Sequence, residues 1–112
     1  MEKKTIVLVC SSGMSAQLLA NKMQQAANDK RAERKILVCA AAEVEQLSAT
    51  TQIDALLLGP QIRFMYSKFS KKLSAQGIPL SMVRMSDYGM MDGEKVLALA
   101  EMLIAEQMVG VG

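Results

Sequence analysis

The sequence predicts an α/β fold in which an open four-stranded parallel sheet carries helices on both faces. Four short apolar runs of strand length alternate with four longer segments in which apolar residues recur at helical spacing. Strands that alternate with helices pair in parallel, and right-handed crossovers place the helices on both faces of the sheet. Because the 112 residues contain no Pro/Gly/Ser-rich interruption, we expect one domain over residues 1–112.

The four predicted strands cover residues 5–9, 36–40, 55–58 and 80–83. The first and third are continuous apolar runs, as expected of central strands, whereas the fourth alternates apolar and polar residues and suits an edge. These features favour the strand order 2-1-3-4, with the switch point between strands one and three. Ligands of open α/β sheets bind at the carboxyl ends of the strands beside that point. We therefore expect a site at Cys10, with Gly59-Pro60-Gln61 beside it.

Each helical segment is expected to bury one apolar face, and the second helix, residues 43–49, is short. The predicted faces are Met14, Leu18, Leu19, Met23, Ala26 and Ala27 in the first helix, Ile62, Met65, Phe69 and Leu73 in the third, and Val96, Leu97, Ala100, Leu103 and Ile104 in the last. Glycine and proline mark the boundaries at Gly59-Pro60, at Gly77 with Pro79, and at Asp92-Gly93. Residues 109–112 contain two glycines and are expected to fray.

Composition excludes several classes of function. Thirteen basic and eleven acidic side chains give a net charge of +2, which is too balanced for binding nucleic acid by bulk electrostatics. The apolar run after the first four residues is too short for a signal-peptide core or a membrane span, so we expect a cytoplasmic protein that is not membrane-inserted. Two cysteines in unlike settings do not suggest a disulfide scaffold, and a chain without histidine is a poor zinc binder. We expect no metal and no cofactor.

Cys10 ends the first apolar strand and is followed at once by small residues that open a helical segment. A helix N-terminus offers unpaired N–H groups, which favour a thiolate and bind an anion. Cys10 is therefore predicted to be an activated nucleophile. The loop that would hold the three oxygens of a phosphoryl group on its sulfur comprises Ser11, Ser12, Gly13, Met14, Ser15 and Ala16.

The same loop has no fixed cation, because no Lys or Arg occurs between Cys10 and Asn21. Small cysteine-dependent phosphatases carry an arginine six residues after the cysteine, where it clamps the phosphate. Ala16 occupies that position here. Without the clamp, a loop that accepts and passes on phosphate from a high-energy donor fits better than one that releases it to water.

These residues resemble the enzyme IIB component of the bacterial phosphoenolpyruvate-dependent sugar phosphotransferase system, of the lactose, cellobiose and chitobiose type. The motifs that carry the resemblance are Cys10-Ser11-Ser12-Gly13-Met14-Ser15, Leu57-Leu58-Gly59-Pro60-Gln61-Ile62, and Tyr88-Gly89 followed by Asp92-Gly93. It covers essentially the whole chain. The galactitol and ascorbate type is less similar, since its loop is richer in glycine. The resemblance also implies a fold like that of the small cysteine phosphatases.

The resemblance implies a phosphoryl carrier, a protein-cysteine phosphotransferase. Cys10 would accept the phosphoryl group from a histidine of the IIA protein and pass it to a sugar at the membrane component IIC. The sugar would be a β-glucoside or a disaccharide such as cellobiose, chitobiose or lactose. IIA and IIC are thus the expected partners, and we expect a monomer.

Other interpretations remain open for several residues and for the chain. Gln61, Ile62 and Arg63 either cap and pack the helix after the third strand or contact the phosphate or a partner. Asp87 and Tyr88 are expected only to form a turn, because the fourth strand is remote from the first. Cys39 is expected in the core. A small cysteine phosphatase and a non-catalytic redox or sensing module are the alternative functions.

Overall fold

A computed structural model describes residues 3–11 and 13–109 of the chain. Four strands and five α-helices alternate, with two short 3-10 segments at Ala41–Glu43 and Pro60–Met65. The strands are β1 (Lys4–Cys10), β2 (Arg34–Ala40), β3 (Ala55–Leu58) and β4 (Leu80–Met82). The helices are α1 (Gly13–Asp29), α2 (Val44–Thr50), α3 (Tyr66–Ser74), α4 (Met85–Gly89) and α5 (Gly93–Val109).

The sheet is parallel throughout and has the predicted order β2-β1-β3-β4. β1 is central, and its residues from Thr5 to Cys10 are buried. The observed β1 extends beyond the predicted run in both directions, so that Cys10 is itself the last strand residue and pairs in register with Ala40. The fold class predicted from the alternation of elements is therefore confirmed.

Two apolar cores lie on opposite faces of this sheet, because successive strand residues point to opposite sides. On one face Ile6, Leu8 and Cys10 pack with residues of α1, α4 and α5. On the other face Val7 and Val9 pack with residues that include Val44 of α2 and Phe69 and Leu73 of α3.

Two predicted helices differ from the observed ones. The third predicted helix is divided into a 3-10 segment and α3, since Ile62 has a non-helical backbone (φ −117°, ψ 26°). The second begins as a 3-10 turn at Ala41 before α2.

Leu18, predicted on the buried face of the first helix, is 57% exposed.

The helix α4 was predicted to be a turn. It ends in a Schellman motif, in which the Asp92 N–H donates to the Asp87 carbonyl and the Met91 N–H to the Tyr88 carbonyl (both 3.0 Å). Met91 adopts the left-handed conformation (φ 53°) that glycine normally supplies at this position. The usual sequence signal of this helix end is therefore absent.

Helix α5 begins as the Asp92-Gly93 pair predicts. The Oδ1 atom of Asp92 accepts a hydrogen bond from the Lys95 N–H (3.1 Å), and Gly93 packs directly on the backbone of α1 at Lys22. Arg34 at the start of β2 forms a two-pronged ion pair with Glu101 of α5. The helix includes Val109, the first residue of the predicted frayed tail, and residues 110–112 lie outside the described part of the chain.

Candidate functional site

Cys10 lies at the carboxyl end of the central strand, immediately before α1. Its side chain is buried, at 2% exposure, and its Sγ lies 3.7 Å from the carbonyl oxygen of Cys39. At this distance the thiol donates a weak hydrogen bond across to β2. The following residue, Ser11, is exposed. The Cys10 side chain thus lies at the carboxyl end of the sheet, at the point where the chain leaves β1 and begins α1.

The predicted phosphate-binding residues fall at the start of α1. Ser12 lies outside the described residues, and Gly13, Met14 and Ser15 form the first turn of the helix. The first N–H groups of any α-helix have no intrahelical partner, and the dipole of a 17-residue helix favours an anion at this end. The backbone therefore provides donors close behind Cys10 in the chain.

Ala16 is fully buried and belongs to the same apolar core as Cys10. This is the position at which a phosphatase loop carries its arginine. A guanidinium at a position inside this apolar core, which also contains Leu19, Ala20 and Leu57, would lose its hydration, and this is costly for a charged group. Ala16 is thus part of the packing beneath the loop.

The second strand end at this edge is that of β3, and Gly59 joins it to β1. The Gly59 N–H donates to the carbonyl of Val9, the residue before Cys10 (2.8 Å). A side chain at Gly59 would meet Gln61 Oε1 at 3.0 Å, the Val9 carbonyl at 3.3 Å and Tyr88 Cε2 at 3.6 Å. Gln61 and Tyr88 therefore both lie close to Gly59, whose N–H is bonded to the residue before Cys10.

The expectation that Tyr88 forms only a turn is wrong. Tyr88 is a residue of α4, is 5% exposed, and shares the apolar core of Cys10 and Ala16. Although β4 is remote from β1, the chain after β4 returns across β3 toward the site. Asp87, on the same helix, is half-buried.

Ile62 and Arg63 point in different directions from the 3-10 segment after β3. Ile62 is 4% exposed and packs in the core on the opposite side of the sheet from Cys10. Arg63 is exposed, as is Gln61. The Gln61 side chain lies close to Gly59 at the end of β3, whereas Ile62 reaches Gly59 through its backbone N–H (3.1 Å).

Cys39 lies in the core, at 7% exposure, on the opposite face of the sheet from Cys10. Burial, helped by the negative charge of Glu43 and by Cys10, raises the pKa of the Cys39 thiol to about 11. Cys39 is therefore a neutral thiol at neutral pH and a poor nucleophile. Because the two cysteine side chains lie on opposite faces of the sheet, they cannot form a disulfide with each other without backbone movement.

Several large apolar side chains remain exposed in the segments that follow the strand ends. Helical and strand periodicity does not reveal them, because it assigns apolar residues to the core. They are Leu18 (57%), Phe64 (79%), Met85 (63%) and Met90 (78%), and Met82, the last residue of β4, is also exposed (40%).

The sequence matches the family model of the lactose/cellobiose-specific IIB subunit of the phosphotransferase system over residues 5–99. The chain belongs to this IIB family. Its curated relatives include the cellobiose-specific EIIB component of Lactococcus lactis subsp. lactis, which is 44% identical over 107 residues, covering 93% of this chain and 99% of the relative. The oligo-beta-mannoside-specific EIIB component of Bacillus subtilis is 36% identical over 104 residues, with the same coverage of both chains. The predicted family is therefore confirmed.

Solved structures of IIB proteins have the same fold as this IIB chain. The solution structure of a cellobiose-specific IIB component from Borrelia burgdorferi is 32% identical and has a TM-score of 0.77, covering 93% of this chain and 94% of that one. The lactose-specific IIB domain from Streptococcus pneumoniae also has a TM-score of 0.77 at 19% identity, over 90% of this chain and 97% of that one. None of the described helices of this IIB chain is both long and apolar enough to cross a membrane.

Proposed function

We propose that Cys10 is the phosphoryl-carrying residue of this IIB protein. The observation that carries the proposal is its position as the last residue of the central strand, directly before the N-terminus of α1. The sulfur lone pair attacks the phosphorus of a phosphohistidine on IIA, an S–P bond forms, and the P–N bond breaks, leaving its electrons on the imidazole nitrogen. A sugar hydroxyl at IIC then attacks the phosphorus, and the S–P bond breaks with its electrons left on the sulfur. The proton lost by the hydroxyl restores the Cys10 thiol.

The backbone of residues 11–16 is the proposed cradle of the phosphoryl group. The phosphoryl oxygens would accept hydrogen bonds from main-chain N–H groups at the start of α1. The hydroxyls of Ser11, Ser12 and Ser15 would donate further hydrogen bonds to them. The S–H donation from Cys10 to the Cys39 carbonyl must end when the thiolate forms, since a thiolate has no proton to donate. Ionisation of Cys10 therefore ends this hydrogen bond to β2.

The buried Ala16 supports relay rather than hydrolysis. With an alanine where a phosphatase has its clamping arginine, the developing charge of a hydrolytic transition state lacks a bidentate cationic partner. Phosphoryl transfer from histidine to a thiolate starts from a reactive P–N bond and needs less stabilisation. The protein is accordingly proposed to be a protein-cysteine phosphotransferase that works without metal or cofactor.

Incubation with phosphoenolpyruvate, the general phosphotransferase proteins and a cognate IIA is the test. We expect one phosphoryl group per chain by intact-mass spectrometry, and its loss when IIC and the sugar are added. Rapid hydrolysis of an aryl phosphate by this protein alone would instead support a phosphatase. Failure to accept phosphate from every plausible IIA would contradict the proposal.

The exposed apolar side chains near the strand ends are the proposed docking surface for IIA. Flexible thioethers such as Met85 and Met90 suit a surface that meets IIA and IIC in turn. Met65 and Met91 are less suited to this docking role, because both are half-buried and pack against the cores.

Replacing Phe64 with alanine is expected to raise the KM for phosphorylated IIA by about ten- to a hundredfold and to leave kcat unchanged. The reason is that an aromatic side chain buried on docking contributes about 1.5–3 kcal/mol. Phosphoryl-transfer kinetics with IIA as the varied substrate measure the change. Met102→Ala is the control, since Met102 is 60% exposed on α5. Equal KM values for both variants would remove Phe64 from the docking surface.

The sugar and the location of the protein complete the proposal. The curated relatives are named for cellobiose, galactose and oligo-beta-mannoside. We propose a β-linked glucoside or disaccharide as the acceptor, with its selection made by IIC. The protein would act in the cytoplasm and associate with the membrane through IIC.

A further inference from the structure

β2 forms one edge of the sheet, and half of its main-chain groups point away from the other strands. Its sheet neighbour is β1. The Lys4 N–H donates to the carbonyl of Glu33, just before β2 (3.3 Å), so odd-numbered residues along this strand direct their N–H and C=O groups toward β1. Even-numbered residues from 34 to 40 direct theirs outward. An edge of this kind is a template for pairing with a strand of another chain.

Gln24 of α1 occupies the start of this edge. Its Nε2 donates to the Arg34 carbonyl (2.9 Å), and its Oε1 accepts from the Ile36 N–H (3.2 Å). In a parallel ladder, one residue of a neighbouring strand bonds in the same way to the two residues that flank its partner. The amide of Gln24 therefore takes the place of a main-chain amide opposite Lys35. Asn28 Oδ1 also accepts from Nε2 (3.2 Å), which helps to orient the amide.

Glu43 occupies the other end of the same edge. Its Oε1 accepts from the outward N–H of Ala40 (2.7 Å). Between Gln24 and Glu43 the strand borders a groove of about 350 Å³, lined by Val38, Cys39, Gln46 and Leu47 among others. The two side chains thus bracket the middle of β2.

We propose that Gln24 and Glu43 block the β2 edge from pairing with the same edge of a second copy of this chain. Two identical edges related by a two-fold axis would pair antiparallel and join two sheets into one. In a pairing centred on Leu37, Arg34 and Lys35 of each copy lie opposite uncharged residues 40 and 39 of the other, so like charges stay apart. Such pairing needs the Arg34 carbonyl, the Ile36 N–H and the Ala40 N–H, and these groups are already hydrogen-bonded to Gln24 and Glu43.

The double variant Gln24→Ala/Glu43→Ala tests whether these two side chains prevent association. Its association state is measured by sedimentation of the full chain across a concentration series. We expect a dimer at concentrations at which the wild type does not associate. Gln17→Ala is the matched control, because Gln17 bonds Asn21 along the same helix (3.0 Å). A double variant that sediments like the wild type at every concentration would overturn the proposal.

Amide hydrogen exchange tests Gln24 separately and at low concentration. Gln24→Ala should speed exchange at the Ile36 amide about tenfold, whereas the Leu37 amide, which faces β1, should keep its rate. Gln24→Glu retains an acceptor for the Ile36 N–H and should preserve the protection of that amide. This second variant shows whether a substitution at position 24 by itself prevents folding. Unchanged Ile36 exchange in Gln24→Ala would show that Gln24 does not close the edge.

Discussion

Replacing Gly93 with alanine is expected to destabilise the protein by roughly 1–3 kcal/mol or more, as overpacking does. A Cβ atom at this position would lie 2.5 Å from the carbonyl carbon of Lys22 and 2.7 Å from its oxygen. Backbone atoms cannot rotate aside as the end of a side chain can, so α1 and α5 would have to separate. Glycine is required here by the close approach of two helices.

Chemical denaturation of Gly93→Ala and Gly89→Ala measures this effect against a matched control. Gly89 is exposed and helical, and a Cβ there meets nothing within 4 Å. Gly89→Ala should therefore be neutral or stabilise by up to about 1 kcal/mol through helix propensity. Equal stability of the two variants would show that α1 and α5 are not in contact at Gly93. Because α1 begins just after Cys10, Gly93→Ala should also slow phosphoryl acceptance.

Replacing Cys10 with serine is expected to reduce phosphoryl acceptance from IIA to background. A serine hydroxyl is not ionised at neutral pH and needs an adjacent base to become a nucleophile, whereas a thiol at a helix N-terminus ionises readily. The measurement is the amount of phosphoryl group transferred from phosphorylated IIA in a fixed time.

Cys39→Ser is the control for this loss. Cys39 faces the other side of the sheet and is a neutral thiol at neutral pH, so the variant should accept phosphate at the wild-type rate. The reverse result, with Cys39→Ser inactive and Cys10→Ser active, would show that Cys39 and not Cys10 carries the phosphoryl group.

The sheet could be predicted from the sequence because its signals are local. β3 has the predicted bounds, and β1 includes the whole predicted run, since continuous apolar residues between breakers have few alternatives to a buried strand. The helix α4 escaped prediction because its end uses Met91 in a conformation that glycine usually adopts. Leu18 was assigned to the core because periodicity does not reveal an apolar residue kept at the surface.

The site could be predicted only in part, for a physical reason. Cys10 was found because its strand, loop and helix are consecutive in sequence. Tyr88 was missed because strand order alone does not show where the chain after β4 returns. The contact of Gln24 with the β2 edge joins a side chain to backbone atoms more distant in the chain, and no residue pattern records it.

Locating the phosphoryl group in the phosphorylated wild-type protein is the most direct test of the relay. Peptide mapping by mass spectrometry, together with ³¹P NMR, distinguishes a phosphorus bonded to sulfur from one bonded to oxygen or nitrogen. We expect a single phosphoryl group on the peptide that contains Cys10, as a thiophosphate ester. A phosphoryl group on Ser11, Ser12 or Ser15, or on any peptide without Cys10, would contradict the proposed mechanism.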